Sequence, residues 1–227
     1  MLLLLYCLVR HDTNGLQLCL ICHKPSVNIS YYFTVTRRSN PSINEFMKQM
    51  EFGDDYHRLE GYYINRLIKI INDIKPSKRQ ITPVVWQEIF QNGFRGDKST
   101  IIHVWKDLDW QSVVKNITKT GYKVLFSAAW YLNYISYGDD WKNYYHVNPR
   151  DFGGTKEDAK LVIGGEAAMW GEYVDDTNLF SRSWPRGSAV AERLWTDEPP
   201  NMTDFIPRVK ELRCRMLRWC PSNDFTF

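Results

Sequence analysis

The residues best placed to do chemistry are aromatic side chains at the ends of short apolar runs. Leu161-Val-Ile-Gly164-Gly165 leads to Trp170 and Glu172, and Thr82-Pro-Val-Val runs into Trp86. Ile101-Ile-His-Val runs into Trp105, and Val124-Leu-Phe-Ser-Ala-Ala into Trp130 and Tyr131. Each run is short enough for a buried parallel strand and too short for a helix. An indole near a carboxylate, Trp170 with Glu172, joins a stacking face to a hydrogen-bond acceptor, which is what a sugar ring needs. Any one of these tryptophans is equally well explained as core packing, the usual role of a large aromatic. Their recurrence at four strand ends favours a shared cup at the rim of a barrel, where barrel enzymes carry their chemistry.

The elements that must position these groups alternate. Ser42 with Glu45 three residues on has the capping-box pattern and predicts a short helix. Leu59, Tyr63, Leu67, Ile70, Ile71 and Ile74 recur at helical spacing from Tyr56 to Ile74, ahead of the Thr82 strand. A helix from Trp110 to Thr120, closed by Gly121, separates the Ile101 strand from the one that starts at Lys123. Tyr131 to Gly154 reads as a long aromatic loop of the kind that serves a site, with Tyr144 and Tyr145, and with Trp184 beyond it, as candidate interface anchors. Helices are predicted again over Ser188 to Leu194 and Asp204 to Leu217, with Pro207 in the first turn of the latter. Strands alternating with helices imply a parallel α/β sheet. Four such units make a partial (β/α)8 TIM barrel, about its last four βα units, with a C-terminal helix.

Composition narrows the class. The chain has 227 residues, 44% hydrophobic and 15% aromatic, so it is globular and not disordered. A formal net charge of +3 without a basic stripe gives no footprint for nucleic acid. The apolar start, Met1-Leu-Leu-Leu-Leu-Tyr-Cys-Leu-Val, resembles the centre of a secretory signal but falls far short of the roughly 20 residues of a membrane span. Cys19-Leu-Ile-Cys22-His23 has the spacing of half a zinc site with no second half, so no metal or other cofactor is expected. Cys214 and Cys220 lie too far apart on a predicted helix to bridge.

From Ser39 to Cys214 the chain resembles the C-terminal half of the catalytic barrel of glycoside hydrolase family 20, the β-hexosaminidases. VVWQE, SAAWYLNYISYG, GGEAAMWGEYVD and AVAERLW carry the resemblance, in this order. Residues 39–227 are then the C-terminal half of a catalytic domain, and 1–38 is a segment foreign to it. The resemblance implies removal of a terminal non-reducing β-linked N-acetylhexosamine with retention, the substrate's own acetamido oxygen serving as nucleophile. It implies that Trp86, Trp105, Trp130 and Trp170 line the sugar, that the Tyr131 hydroxyl orients the acetamido group, and that Glu172 accepts from sugar hydroxyls. Asn133 matches a subunit that accepts charged sugars, whereas Tyr134 stands where that subunit has an arginine.

One part of the family's pattern has no match. Its general acid and its orienting aspartate are adjacent in a His-x-Gly-Gly-Asp-Glu stretch ahead of the region corresponding to Ser39, and nothing in this chain corresponds to it. General acid catalysis typically contributes about 10² to 10⁴-fold. The isolated polypeptide is therefore expected to be inactive, with a non-catalytic carbohydrate-binding or interaction half-barrel as the alternative. Asn28, Asn116 and Asn201 are N-glycosylation acceptors by pattern. With the resemblance they point to a lysosomal or extracellular glycoprotein, dimeric in its complete form.

Overall fold

The computed structural model describes residues 17–20, 38–74, 81–106 and 108–219. The fold is α/β, with parallel strands alternating with helices, and its contacts divide it into two compact units. One is built from residues within 11–103 and from 119–123, the other from 104–118 and 124–227.

In the first unit β1 (Gln17–Leu20) pairs in parallel with β2 (Ile81–Trp86), Gln17 opposite Ile81. A strand before Ser39 has no counterpart in the sequence reading, because four residues are too few to carry a detectable periodicity. β2 pairs in parallel with β3 (Ile101–Val104), Val84 opposite Ile101 and Trp86 opposite His103. Both strands are buried through their centres, as continuous apolar runs in a covered parallel sheet must be. Helix α1 (Pro41–Gln49) is capped by Asn40, whose side chain accepts from the Ser42 backbone N–H at 3.0 Å. The predicted Ser42 cap is thus displaced by two residues: Pro41 has no N–H to lose and a φ already suited to the first helical position.

Helix α2 (Tyr56–Ile74) forms over the predicted span but buries a different stripe. Glu60, Ile64 and Ile68, at i, i+4 and i+8, face the core, while Tyr63, Ile70 and Ile74 are exposed. Glu60 accepts from the Asn92 side chain at 2.7 Å, which gives its carboxylate a hydrogen-bond partner on the otherwise apolar face. Helix α3 (Gln87–Gln91) follows β2 directly, with Gln87 and Glu88 buried.

The second unit continues with α4 (Trp110–Lys119), β4 (Lys123–Phe126), α5 (Trp141–His146), α6 (Lys156–Lys160) and β5 (Val162–Gly165). It ends with α7 (Leu179–Ser183), α8 (Arg186–Trp195) and α9 (Met202–Trp219). The predicted turn at Gly121 holds, with a φ of +84° that favours glycine. β4 and β5 pair in parallel with a register shift after Val124, and Gly165 passes so close to β4 that an added Cβ would stand 2.2 Å from the Phe126 carbonyl oxygen. Pro207 falls in the second turn of α9, because the helix starts at Met202, two residues before the predicted start. Phe205 of α9 stacks on Tyr145 of α5 with ring centroids 4.3 Å apart, and Ala189 and Val209 complete that core cluster. Tyr145 is therefore a core residue and not an interface anchor. The segments 1–16, 21–37, 75–80, 107 and 220–227 lie outside the described residues, and with them Cys22, His23, Cys220 and the acceptor Asn28. Among the described residues no helix is long and apolar enough to cross a membrane.

Candidate active site

The second unit gathers five of the predicted site residues beyond the ends of β4 and β5. Past β4 the chain turns at Ser127, whose N–H donates to the Val104 carbonyl at 2.8 Å, and then runs beside the segment that follows β5. Glu166 N–H donates to Phe126, Ala168 N–H to Trp130 and Leu132 N–H to Ala168, each between 2.8 and 2.9 Å. Tyr131 and Ala168 form a parallel bridge. The two strands are thereby extended as a zipped pair of loops, which fixes the Tyr131 backbone, with Trp170 two residues beyond the last bond at Ala168.

Within this frame the Trp105 and Tyr131 rings lie 6.4 Å apart at 40°, and Tyr134 stacks on Tyr131 at 5.5 Å and 16°. Trp105 and Trp170 are half-buried, so each keeps part of an indole open to a ligand. Asn133 is 3% exposed, and its Oδ1 is buried without a hydrogen-bond partner. A buried amide oxygen without a donor costs on the order of 1–3 kcal/mol, which a ligand N–H or O–H would relieve. Glu172 sits in a turn and is exposed.

Trp130 behaves differently from the other tryptophans. It is fully buried, edge-on to Phe126 at 5.1 Å, and its indole N–H donates to the Tyr144 carbonyl at 3.2 Å. An indole with no exposed face cannot stack on a sugar, so its place in the structure is the core beneath Tyr131. In the first unit Trp86 is half-buried and its ring lies 4.7 Å from that of His103.

Tyr144, expected from the sequence as an interface anchor, fixes the Tyr131 loop together with Asp140 and Arg186, which the sequence does not single out. The Tyr144 hydroxyl donates to the Tyr131 carbonyl at 3.1 Å. Burial, then the Asp140 carboxylate, pushes the Tyr144 phenol above its usual range, so it stays a donor at neutral pH. Arg186, the first residue of α8, donates to Asp140 at 2.8 Å and to the carbonyls of Ser181 and Arg182 at 3.1 Å. Asp140 and Arg186 lie 46 residues apart in sequence, and no local spacing pairs them; the sole hint is that both adjoin tryptophan-containing motifs.

Comparison with known proteins decides the family. Residues 34–198 match the glycosyl hydrolase family 20 catalytic domain. The chain belongs to that family. It is 47% identical over 180 residues to the β-hexosaminidase β subunit of Homo sapiens, covering 79% of this chain and 32% of the relative. It is 47% identical over 185 residues to the α subunit of Bos taurus, covering 80% and 34%, and 40% identical over 211 residues to β-hexosaminidase A of Caenorhabditis elegans, covering 86% and 37%. The chain therefore spans about a third of the length of these relatives. Among solved structures it superposes on the chitobiase of Flavobacterium johnsoniae with a TM-score of 0.64 at 25% identity, over 80% of this chain and 27% of that one. The fold of the β-N-acetylhexosaminidase of Bacteroides fragilis also matches, with a TM-score of 0.61 at 16% identity, covering 85% and 45%.

Proposed function

We propose that this chain supplies the acetamido-binding side of a β-N-acetylhexosaminidase site, one that removes a terminal non-reducing β-linked N-acetylhexosamine by substrate-assisted, retaining hydrolysis. The observation that carries the reading is the Trp105 ring beside that of Tyr131, which stands on zipped backbone, with Trp170 on the neighbouring segment. Cyclisation of the substrate requires its acetamido oxygen to be held against the anomeric carbon in one rotamer. Flat rings on fixed backbone impose that geometry at little entropic cost to the enzyme. In this reading Trp105 and Trp170 wall the sugar, the Tyr131 hydroxyl donates to the acetamido oxygen, and Glu172 accepts from sugar hydroxyls. Asn133 offers its amide to the ligand, and Trp130 supports the floor from the core.

The proton donor and its adjacent aspartate lie outside this chain, so the polypeptide does not hydrolyse glycosides by itself. The complete enzyme is a lysosomal or extracellular dimer in this account, acting on glycans or glycolipids with no cofactor. The test is release of the aryl group from an aryl N-acetyl-β-glucosaminide by the purified chain. Release at the uncatalysed rate is expected. Turnover that Tyr131→Phe or Glu172→Gln abolishes would overturn the assignment of the donor to another part of the protein.

A further inference from the structure

A second candidate site lies at the opposite end of β5 from Trp170. Asn148 to Arg150, Val162 to Gly164 of β5, the end of α8 and the residues just past it line a cavity of about 150 Å³. Arg193 lines it and is only 8% exposed. Its Nη1 donates to the Glu198 carbonyl at 2.7 Å and its Nε to the Val147 carbonyl at 3.4 Å. Both acceptors are neutral. Among the described residues no carboxylate lies within ion-pairing distance of Arg193.

A guanidinium stays charged in proteins and carries five N–H donors, so the two carbonyls leave three unused. A buried cation in this state is costly unless an anion meets it. The rest of the wall does not supply that anion: Asp197 lines the cavity but pairs with Arg150 at 2.9 Å, which leaves Arg193 as the excess charge. Thr196 and Asn148 fix the rim, their side-chain oxygens accepting from the backbone N–H of Glu198 and Arg150. The volume falls below the roughly 300–1,000 Å³ of pockets for drug-sized ligands, and suits a small ion.

We propose that this cavity binds a small oxyanion, a carboxylate or an inorganic phosphate or sulfate, through the Arg193 fork. Bidentate N–H···O pairing with such groups is what a positioned guanidinium does best. The oxyanion comes either from solution or from an acidic side chain of polypeptide outside this chain, which spans about a third of its relatives.

The test is calorimetric titration of inorganic phosphate into the chain at constant ionic strength, with thermal denaturation in parallel. Saturation matters, because phosphate also raises stability without saturating by exclusion from protein surfaces. The expected result is saturable binding in the wild type. Arg193→Lys, which keeps the charge and loses the fork, weakens it at least tenfold, and Arg150→Ala, which removes one positive charge from the cavity wall, weakens it by a smaller factor. Arg150 is exposed, so Arg150→Ala keeps the test decisive if Arg193→Lys fails to fold. Repeating the titration with a longer protein that contains this chain separates the sources: retained binding assigns a solution anion, and lost binding with a new carboxylate on Arg193 assigns an internal one. Absence of saturable binding to the chain, or binding that neither substitution weakens, would overturn the proposal.

Discussion

Replacing Arg186 by Met removes the cation that the Tyr131 loop depends on, at one stroke and in a place shielded from water. Asp140 is 8% exposed and Arg186 7%, with Nε and Oδ2 2.8 Å apart. Removing one partner of a buried pair costs about 3–5 kcal/mol, because the remaining charge is left uncompensated. The carbonyls of Ser181 and Arg182 also lose their Arg186 donor, at about 1 kcal/mol for each bond that water does not replace. The expected loss for Arg186→Met is therefore about 4 kcal/mol, and for Asp140→Leu about 3 kcal/mol. The double variant removes both charges and should lie within about 2 kcal/mol of the wild type. Urea unfolding followed by far-ultraviolet circular dichroism measures all four proteins, and the cycle isolates the coupling. Single effects that simply add in the double variant would refute the reasoning, since they would mean that neither charge depends on the other.

Three further outcomes are expected. Gly165→Ala should destabilise severely or abolish folding, because its Cβ would stand 2.2 Å from the Phe126 carbonyl oxygen and 2.8 Å from the Trp130 ring; Gly61→Ala, with nothing within 4 Å on α2, should instead raise stability by about 0.5–1 kcal/mol, as thermal denaturation of the pair will show. Arg208 forms a fork on Glu192 and holds that carboxyl below its usual range, so the pair's contribution is complete above the unfolded carboxyl pKa and lost as pH falls through the lowered folded value. The gap in Tm between wild type and Glu192→Gln, worth about 0.5–1 kcal/mol at neutral pH, should accordingly close on acidification. Tyr144→Phe should cost about 1 kcal/mol. Because the Tyr144 phenol is pushed up, the wild type keeps that advantage below the unfolded tyrosine pKa and loses it as pH rises through the folded value, which alkaline unfolding curves would register.

The order of elements was legible because buried parallel strands leave continuous apolar runs that helices of this length do not. The runs ending in Trp86, Trp105 and Trp130 became β2, β3 and β4, and the run before Gly164 became β5. What a run could not reveal is which way each of its aromatic neighbours packs. Trp130 and Tyr131 are adjacent and both buried, yet Trp130 packs edge-on to Phe126 while the Tyr131 ring faces those of Trp105 and Tyr134, a distinction set by the zipped pairing with Ala168 and not by either residue type. Face assignment failed on α2 for a related reason: Glu60 is buried through its bond to Asn92, 32 residues away, and periodicity counts a glutamate as solvent-facing. The Asp140, Tyr144 and Arg186 set was invisible for the same reason, since each link joins distant positions or reaches a backbone carbonyl. Asn201 shows a limit of pattern alone. Its side chain also caps α9, accepting from Thr203 N–H at 3.1 Å and donating to Asp204 at 2.7 Å, a role that the acceptor pattern does not reveal.

If this chain carries the acetamido-binding half of the site, as proposed, the proton donor lies elsewhere in the protein. The most direct measurement is N-acetyl-β-hexosaminidase activity of the protein isolated from its source, size-fractionated, with intact mass determined on the active fraction. Activity confined to species heavier than the 26.8 kDa of this chain is the predicted result. Turnover by a 26.8 kDa species beginning at Met1 would contradict it.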